Sequence, residues 1–201
     1  AALFGEPDRD YASDALASAL RRRLAHEPLQ YILGTWQFYR QTYRVSPDCL
    51  IPRADTELLV GLAVEMLPQG AYFADLCTGS GCIAISTLAE RADIRALALD
   101  LSKGALALAQ ENAVRNGVAD RVEFRRADLL TLAPQSLGRF DAILSNPPYI
   151  RSDVIPGLSD EVRHEPRMAL DGGADGLLFY RALLRLAGEC LNETGFCLFE
   201  I

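Results

Sequence analysis

The stretch from Ala71 to Asp100, AYFADLCTGSGCIAISTLAERADIRALALD, decides the fold. It opens on an apolar run of strand length, AYFADL, and breaks at a turn that carries Gly79 and Gly81. It continues through GCIAISTLAE, long enough for a helix, and closes on a second apolar run, IRALALD. Two short apolar runs joined through a glycine turn and a helix predict a strand, a crossover helix and a second, parallel strand.

The same order extends outward. Ser102 caps a helix over KGALALAQENAVRN that closes at Asn116-Gly117, VEFRR and FDAILS follow as strands, and a long loop carries Pro156, Pro166 and Gly172-Gly173. A helix near Leu177 to Leu191 and a last strand, FCLFEI, after Gly195 complete the pattern. On the other side, DTELLVGLAVEML predicts a helix with Leu58, Leu59, Leu62, Ala63 and Met66 on one face. TWQFYRQTYRVSP predicts a small hairpin, with Tyr31, Trp36 and Phe38 as connector core, and Ser13 caps a helix to about Ala25 with Leu16, Leu20 and Leu24 along one face. The fold class is therefore α/β: a doubly wound, mostly parallel sheet with right-handed crossovers, preceded by a short helical lead-in and a β-hairpin connector.

At 201 residues the chain suits one well-buried domain with a small appendage, and no uninterrupted apolar run approaches the ~18 residues of a membrane span. The first residues lack the basic start and apolar middle of a secretory signal, so a cytoplasmic location is the expectation. The start without Met and the end inside an apparent strand are the pattern of a fragment. Five cysteines with no C-x-x-C pair, and only His26 and His164 beside them, read as reduced structural thiols with no metal site. A net charge of −7 disfavours a phosphate-tracking surface, although Arg21-Arg22-Arg23 and Arg125-Arg126 form local basic patches, so direct nucleic-acid binding is not expected.

In doubly wound sheets ligands bind at the carboxyl ends of the strands. Four such places stand out: the turn from Asp75 through Cys77, Thr78, Gly79, Ser80 and Gly81; Asp100; Asp128 with Leu129; and Asn146-Pro147-Pro148-Tyr149. Gly79 and Gly81 allow a tight turn and close approach of a ligand, but the turn lacks the third glycine of a dinucleotide fingerprint and the G-K-[ST] of a Walker loop. Asp100 follows that turn near the ~20-residue offset of an acid that grips a ribose diol. The prolines after FDAILS end that strand, and they leave either plain punctuation or a holder for a planar nitrogen group. For Arg53, Thr56 and Glu57 a capped helix start competes with ligand contact. Acids, a glycine turn and an Asn-Pro-Pro-Tyr turn at successive strand ends together read as a nucleoside-containing cofactor beside a reaction site.

This set resembles the class I, Rossmann-like S-adenosyl-L-methionine-dependent methyltransferases. EPLQYILG, VSPDCLIPRADTE, DLCTGSGCIAI, SNPPYI, HEPRMALDGGADGLLFYR and CLFEI together resemble the HemK/PrmC family of peptide chain release factor glutamine methyltransferases across nearly the whole chain. The resemblance implies methyl transfer to the side-chain amide of the Gln in the release factor's Gly-Gly-Gln motif, leaving S-adenosyl-L-homocysteine. It implies that Cys77, Thr78, Gly79, Ser80 and Gly81, over Asp75, hold the cofactor, that Asp100 holds its ribose, and that Asp128, Leu129 and Asn146 lie near it. Asn146, Pro147, Pro148 and Tyr149 would hold the substrate amide, with Asn146, Pro147 and Tyr149 in the catalytic role. By the same resemblance, residues 1–33 are the end of a helical substrate-recognition domain, 34–53 the hairpin connector and 54–201 the catalytic domain without its final hairpin, and a monomer is the expectation. Cys77 stands where the family has glycine, so the turn must accept a Cβ there, and Ala54 replaces a proline. The other reading of the Asn-Pro-Pro-Tyr turn is an adenine N6 amino-methyltransferase acting on a flipped base of DNA or RNA.

Overall fold

A computed structural model describes residues 14–201. The lead-in is α1 (Asp14–Leu24) and α2 (Leu29–Leu33), and the connector is an antiparallel hairpin of β1 (Thr35–Phe38) and β2 (Gln41–Arg44). After α3 (Thr56–Met66) the chain alternates: β3 (Tyr72–Leu76), α4 (Cys82–Glu90), β4 (Arg95–Asp100), α5 (Lys103–Arg115), β5 (Val122–Arg126), β6 (Phe140–Ser145), the short α6 (Asp160–Arg163), α7 (Leu178–Cys190) and β7 (Leu191–Phe199). Five strands form one sheet in the order β5-β4-β3-β6-β7, all parallel, so the strand order reverses between β3 and β6. A crevice outside the carboxyl ends at such a reversal is where this architecture places its ligands.

The central strands β3, β4 and β6 are buried on both faces, and their residues alternate between two cores. Phe73, Ala96, Ala98, Ala142 and Leu144 pack toward α3 and α4, while Ala74, Leu76, Leu97, Leu99 and Ile143 pack toward α7. Small side chains on the first face let the α3 and α4 layer sit close. Ser102 caps α5 by accepting from the Ala105 N–H at 3.1 Å, and Gly117 ends it in the left-handed region, as the sequence predicts. Tyr31 is buried with its hydroxyl donating to the Cys49 carbonyl at 2.7 Å and shares a small core with Val45, Ile51 and Trp36, whereas Phe38, expected with them, packs instead into the main core beside Tyr43.

Three further expectations are corrected. The buried face of α3 is Thr56, Leu59, Val60 and Ala63, whereas Leu58, Leu62 and Met66 are exposed; the helix is apolar almost all round, so hydropathy alone does not choose the face. Leu16, Leu20 and Leu24 of α1 are likewise exposed. The final strand begins at Leu191, directly after α7, and absorbs the early start with an irregular register between Phe140 and Ala142. Ser13, the expected cap of α1, lies outside the described residues. The cysteines are all free, and no described helix is long and apolar enough to cross a membrane.

Candidate functional site

The first turn of the site is built from inside. Asp75, fully buried at the end of β3, accepts from the Thr78 hydroxyl at 2.6 Å and from the Ala84 N–H at 3.1 Å through one oxygen, while its Oδ1 has no donor among the described residues. The Thr78 N–H donates across to the Leu99 carbonyl of β4 at 3.0 Å. Thr78 and Ser80 are buried and Gly81 opens α4, so of the turn only Cys77 and Gly79 face the cavity described below. The hydroxyl of Thr78, which the sequence offers to a ligand, is consumed in holding Asp75. Cys77 adopts φ 64°, a left-handed conformation that costs an L-residue roughly 1–2 kcal/mol, so the turn accepts a Cβ under strain.

Burial pushes the Asp75 carboxyl up to about 7, with the Thr78 and Ala84 hydrogen bonds opposing the shift. The unfolded group titrates near its ordinary value of 3.8, so between about pH 4 and 7 the folded state holds a proton that the unfolded state has lost. The Asp75 contribution to stability is therefore full at low pH and is lost as pH rises through 7. Urea unfolding at a series of pH values should show the wild type gaining stability over Asp75→Asn as pH falls from 7 to 5; a constant difference would remove the assignment.

At the carboxyl ends of the strands lies a cavity of ≈ 480 Å³, within the range of small-molecule and cofactor sites. The strand ends singled out in the sequence meet there: Cys77 and Gly79 after β3, Asp100 at the end of β4, Asp128 and Leu129 after β5, and Asn146 and Pro148 after β6. A Cβ built on Gly79 would meet only the Cys49 Cβ, at 3.9 Å, so bare backbone faces open space. Asp100 accepts from the Gly79 N–H and the Ser102 N–H, each at 2.8 Å, one per oxygen, which leaves lone pairs on both for hydroxyl donors. Burial raises the Asp100 carboxyl above its ordinary value, against those N–H donors. Asp128 accepts from the Leu130 N–H at 2.9 Å.

Other walls come from residues that the sequence does not single out. Cys49 and Leu50 arrive from the segment after the hairpin, Met168 from the long loop and Phe179 from α7. Burial pushes the Cys49 thiol up to about 12 and raises that of Cys77 as well, so both are neutral walls rather than nucleophiles. Pro147 is buried behind the lining, and Tyr149 is 42% exposed and outside it.

The loop from Arg151 to Gly176 is pinned over the cavity instead of running free in solvent. The Ile150 N–H donates to the Leu170 carbonyl at 2.9 Å, the Gly172 N–H to the Ile150 carbonyl at 2.8 Å and the Ser152 N–H to the Gly173 carbonyl at 3.0 Å. Gly172 is required by close approach, because a Cβ there would lie 2.7 Å from the Tyr149 Cα and 2.8 Å from its carbonyl carbon. Both are backbone atoms and cannot swing aside, so Gly172→Ala should destabilise the protein by about 1–3 kcal/mol in denaturant titration. Unaltered stability would mean that the turn is slack. Glu165, 5% exposed in the same loop, accepts from the Ile51 N–H at 2.9 Å and pairs with Arg53, tying the loop to the chain entering α3. Arg53 is thus a tether, and Glu57 accepts from the Tyr39 N–H at 2.8 Å; neither lines the cavity.

Asn146 is fixed from behind. Its Nδ2 donates to the Thr56 Oγ1 at 3.2 Å, and the Thr56 hydroxyl donates to the Glu200 carboxylate at 2.5 Å. Glu200 is held by its own backbone, with its N–H on the Ser145 carbonyl at 3.1 Å and its carbonyl accepting from the Tyr180 hydroxyl at 2.6 Å.

Comparison with known proteins gives the family of the chain. Residues 55–173 match the family described as the methyltransferase small domain. The chain is 42% identical over 199 residues to a release factor glutamine methyltransferase of Geobacter sulfurreducens, covering 98% of this chain and 69% of that protein. It is 47% identical over 199 residues to the protein of the same name from Nitratidesulfovibrio vulgaris, covering 96% and 67%. Among solved structures, the hMettl16 catalytic domain superposes with a TM-score of 0.58 at 15% identity over 79% of this chain and 62% of that one, a likeness of fold.

Proposed function

This chain belongs to the release factor glutamine methyltransferase family, and from that premise we propose that it transfers a methyl group from S-adenosyl-L-methionine to the side-chain amide nitrogen of the Gln in the Gly-Gly-Gln motif of peptide chain release factors. The observation that carries the reading is the position of Asn146 on the same cavity as Asp100, an amide acceptor beside a diol-binding acid. The cavity suits the cofactor on its own chemistry: the two oxygens of Asp100 keep lone pairs for ribose hydroxyls, Leu101 and Leu129 offer apolar walls for a base, and bare Gly79 admits close approach. When bound, the cofactor supplies an electrophilic methyl on a sulfonium.

A glutamine amide nitrogen is a poor nucleophile because its lone pair is delocalised into the carbonyl. The Asn146 Oδ1 and a backbone carbonyl around Pro147, since proline keeps its C=O while losing its N–H, each accept one amide hydrogen. The nitrogen is then fixed toward the methyl, a positioning effect that in favourable cases lowers a barrier by ~7–11 kcal/mol. The bound cofactor would supply the methyl and would leave as neutral S-adenosyl-L-homocysteine, so the charge to be managed by this chain's residues is that on the amide nitrogen. The nitrogen gains positive charge, its hydrogens become more acidic, and both acceptors bind the transition state better than the ground state. One of those protons then leaves to solvent. Tyr149, exposed just past the turn, offers an aromatic face to the incoming peptide.

Residues 54–201 act as the catalytic domain, 34–53 as the connector and 1–33 as the end of a substrate-recognition region. The chain works as a monomer in the cytoplasm, where its substrate takes part in translation. Mass spectrometry of the Gly-Gly-Gln peptide after incubation of a release factor with protein and cofactor should show one added methyl on the glutamine. Labelled methyl appearing in DNA or RNA instead would overturn the reading.

A further inference from the structure

We propose that Thr56 and Glu200 are positioning residues that set which end of the Asn146 amide faces the substrate. The inference rests on the function proposed above and follows from counting donors. An ionised carboxylate can only accept, so the Glu200 Oε2, 2.5 Å from the Thr56 Oγ1, takes the single proton that the threonine hydroxyl owns. Toward Asn146, 3.2 Å away, Thr56 can then only accept. The Asn146 side chain must turn its Nδ2 to Thr56, and its Oδ1 is left to point into the cavity as an acceptor. The flip of the amide is thereby dictated by a group two hydrogen bonds away, on the residue just past the end of β7.

The burial of the relay supports this reading. Thr56 is 1% exposed at the start of α3, so its hydroxyl is shielded from solvent. Glu200 holds its place through its backbone, so its side chain is free to serve the relay without being needed to fix the strand end. A substrate amide presents two hydrogens and needs acceptors. An Asn146 turned the other way would oppose donor to donor and reject it. The relay therefore acts on transfer and leaves the cofactor's ribose end, at Asp100, untouched.

The test compares Thr56→Val, which keeps the shape and removes the hydroxyl, with Thr56→Ser, which restores it. For Thr56→Val, kcat for release factor methylation should fall about ten- to a hundredfold, with the dissociation constant for S-adenosyl-L-homocysteine unchanged in calorimetry. Thr56→Ser should stay within about threefold of wild type. In an Asn146→Ala background there is no amide left to orient, so Thr56→Val should leave the residual rate as it is. Glu200→Met should lower kcat alone and lower it no further in the Thr56→Val protein. A Thr56→Val protein with full kcat, or an equal further loss in the Asn146→Ala background, overturns the relay. Failure of the wild type to methylate a release factor would instead overturn the proposed function.

Discussion

Asn146→Ala is expected to lower kcat by about 10²–10³-fold, the scale of removing one preorganised hydrogen-bonding group aimed at developing charge, while cofactor affinity changes little. The residue sits at the end of β6 with its Nδ2 engaged by Thr56, so the alanine variant removes one acceptor from the cavity without disturbing the buried prolines that follow. Its partner acceptor, the backbone carbonyl around Pro147, remains, which is why some activity should persist. Steady-state rates with a release factor, read beside calorimetric affinity for S-adenosyl-L-homocysteine, separate the two steps. Full activity would remove Asn146 from the reaction.

Asp100→Ala should behave in the opposite way, weakening the binding of S-adenosyl-L-homocysteine by about a hundredfold because a charged acceptor for hydroxyls is lost. The variant should also lose stability, since the N–H groups of Gly79 and Ser102 both depend on this carboxylate. Asp100→Asn keeps one acceptor oxygen and should fall between the two. With enough cofactor to saturate the site, kcat of the alanine variant should recover much of its wild-type value. An unchanged affinity would place the ribose elsewhere.

These effects could be assigned to residues before the structure because strand ends are local events. Each of Asp75, Asp100, Asp128 and Asn146 lies at or just past the end of a segment readable as a strand, and the parallel sheet brings those ends to one edge. The strands, the Ser102 cap and the Gly117 stop are legible for the same reason, being written in adjacent residues. What was not legible depends on distant partners. Met168, Phe179 and Cys49 become neighbours only when a loop, a helix and the post-hairpin segment fold over the crevice. The role of Thr56 depends on a carboxylate at the far end of the chain. For α3, Leu58-Leu59-Val60 and Leu62-Ala63-Val64 offer apolar residues in every direction, and only docking against the sheet selects one face.

The tether at Glu165 governs how the crevice opens. One buried carboxylate serves both the Ile51 N–H and Arg53, so lifting the loop strands a charge, an N–H and a guanidinium at once. Lifting the loop therefore breaks both contacts together. The loop and the segment before α3 are thus coupled in local unfolding, so a change at Glu165 should loosen the roof of the crevice and the entrance to α3 together.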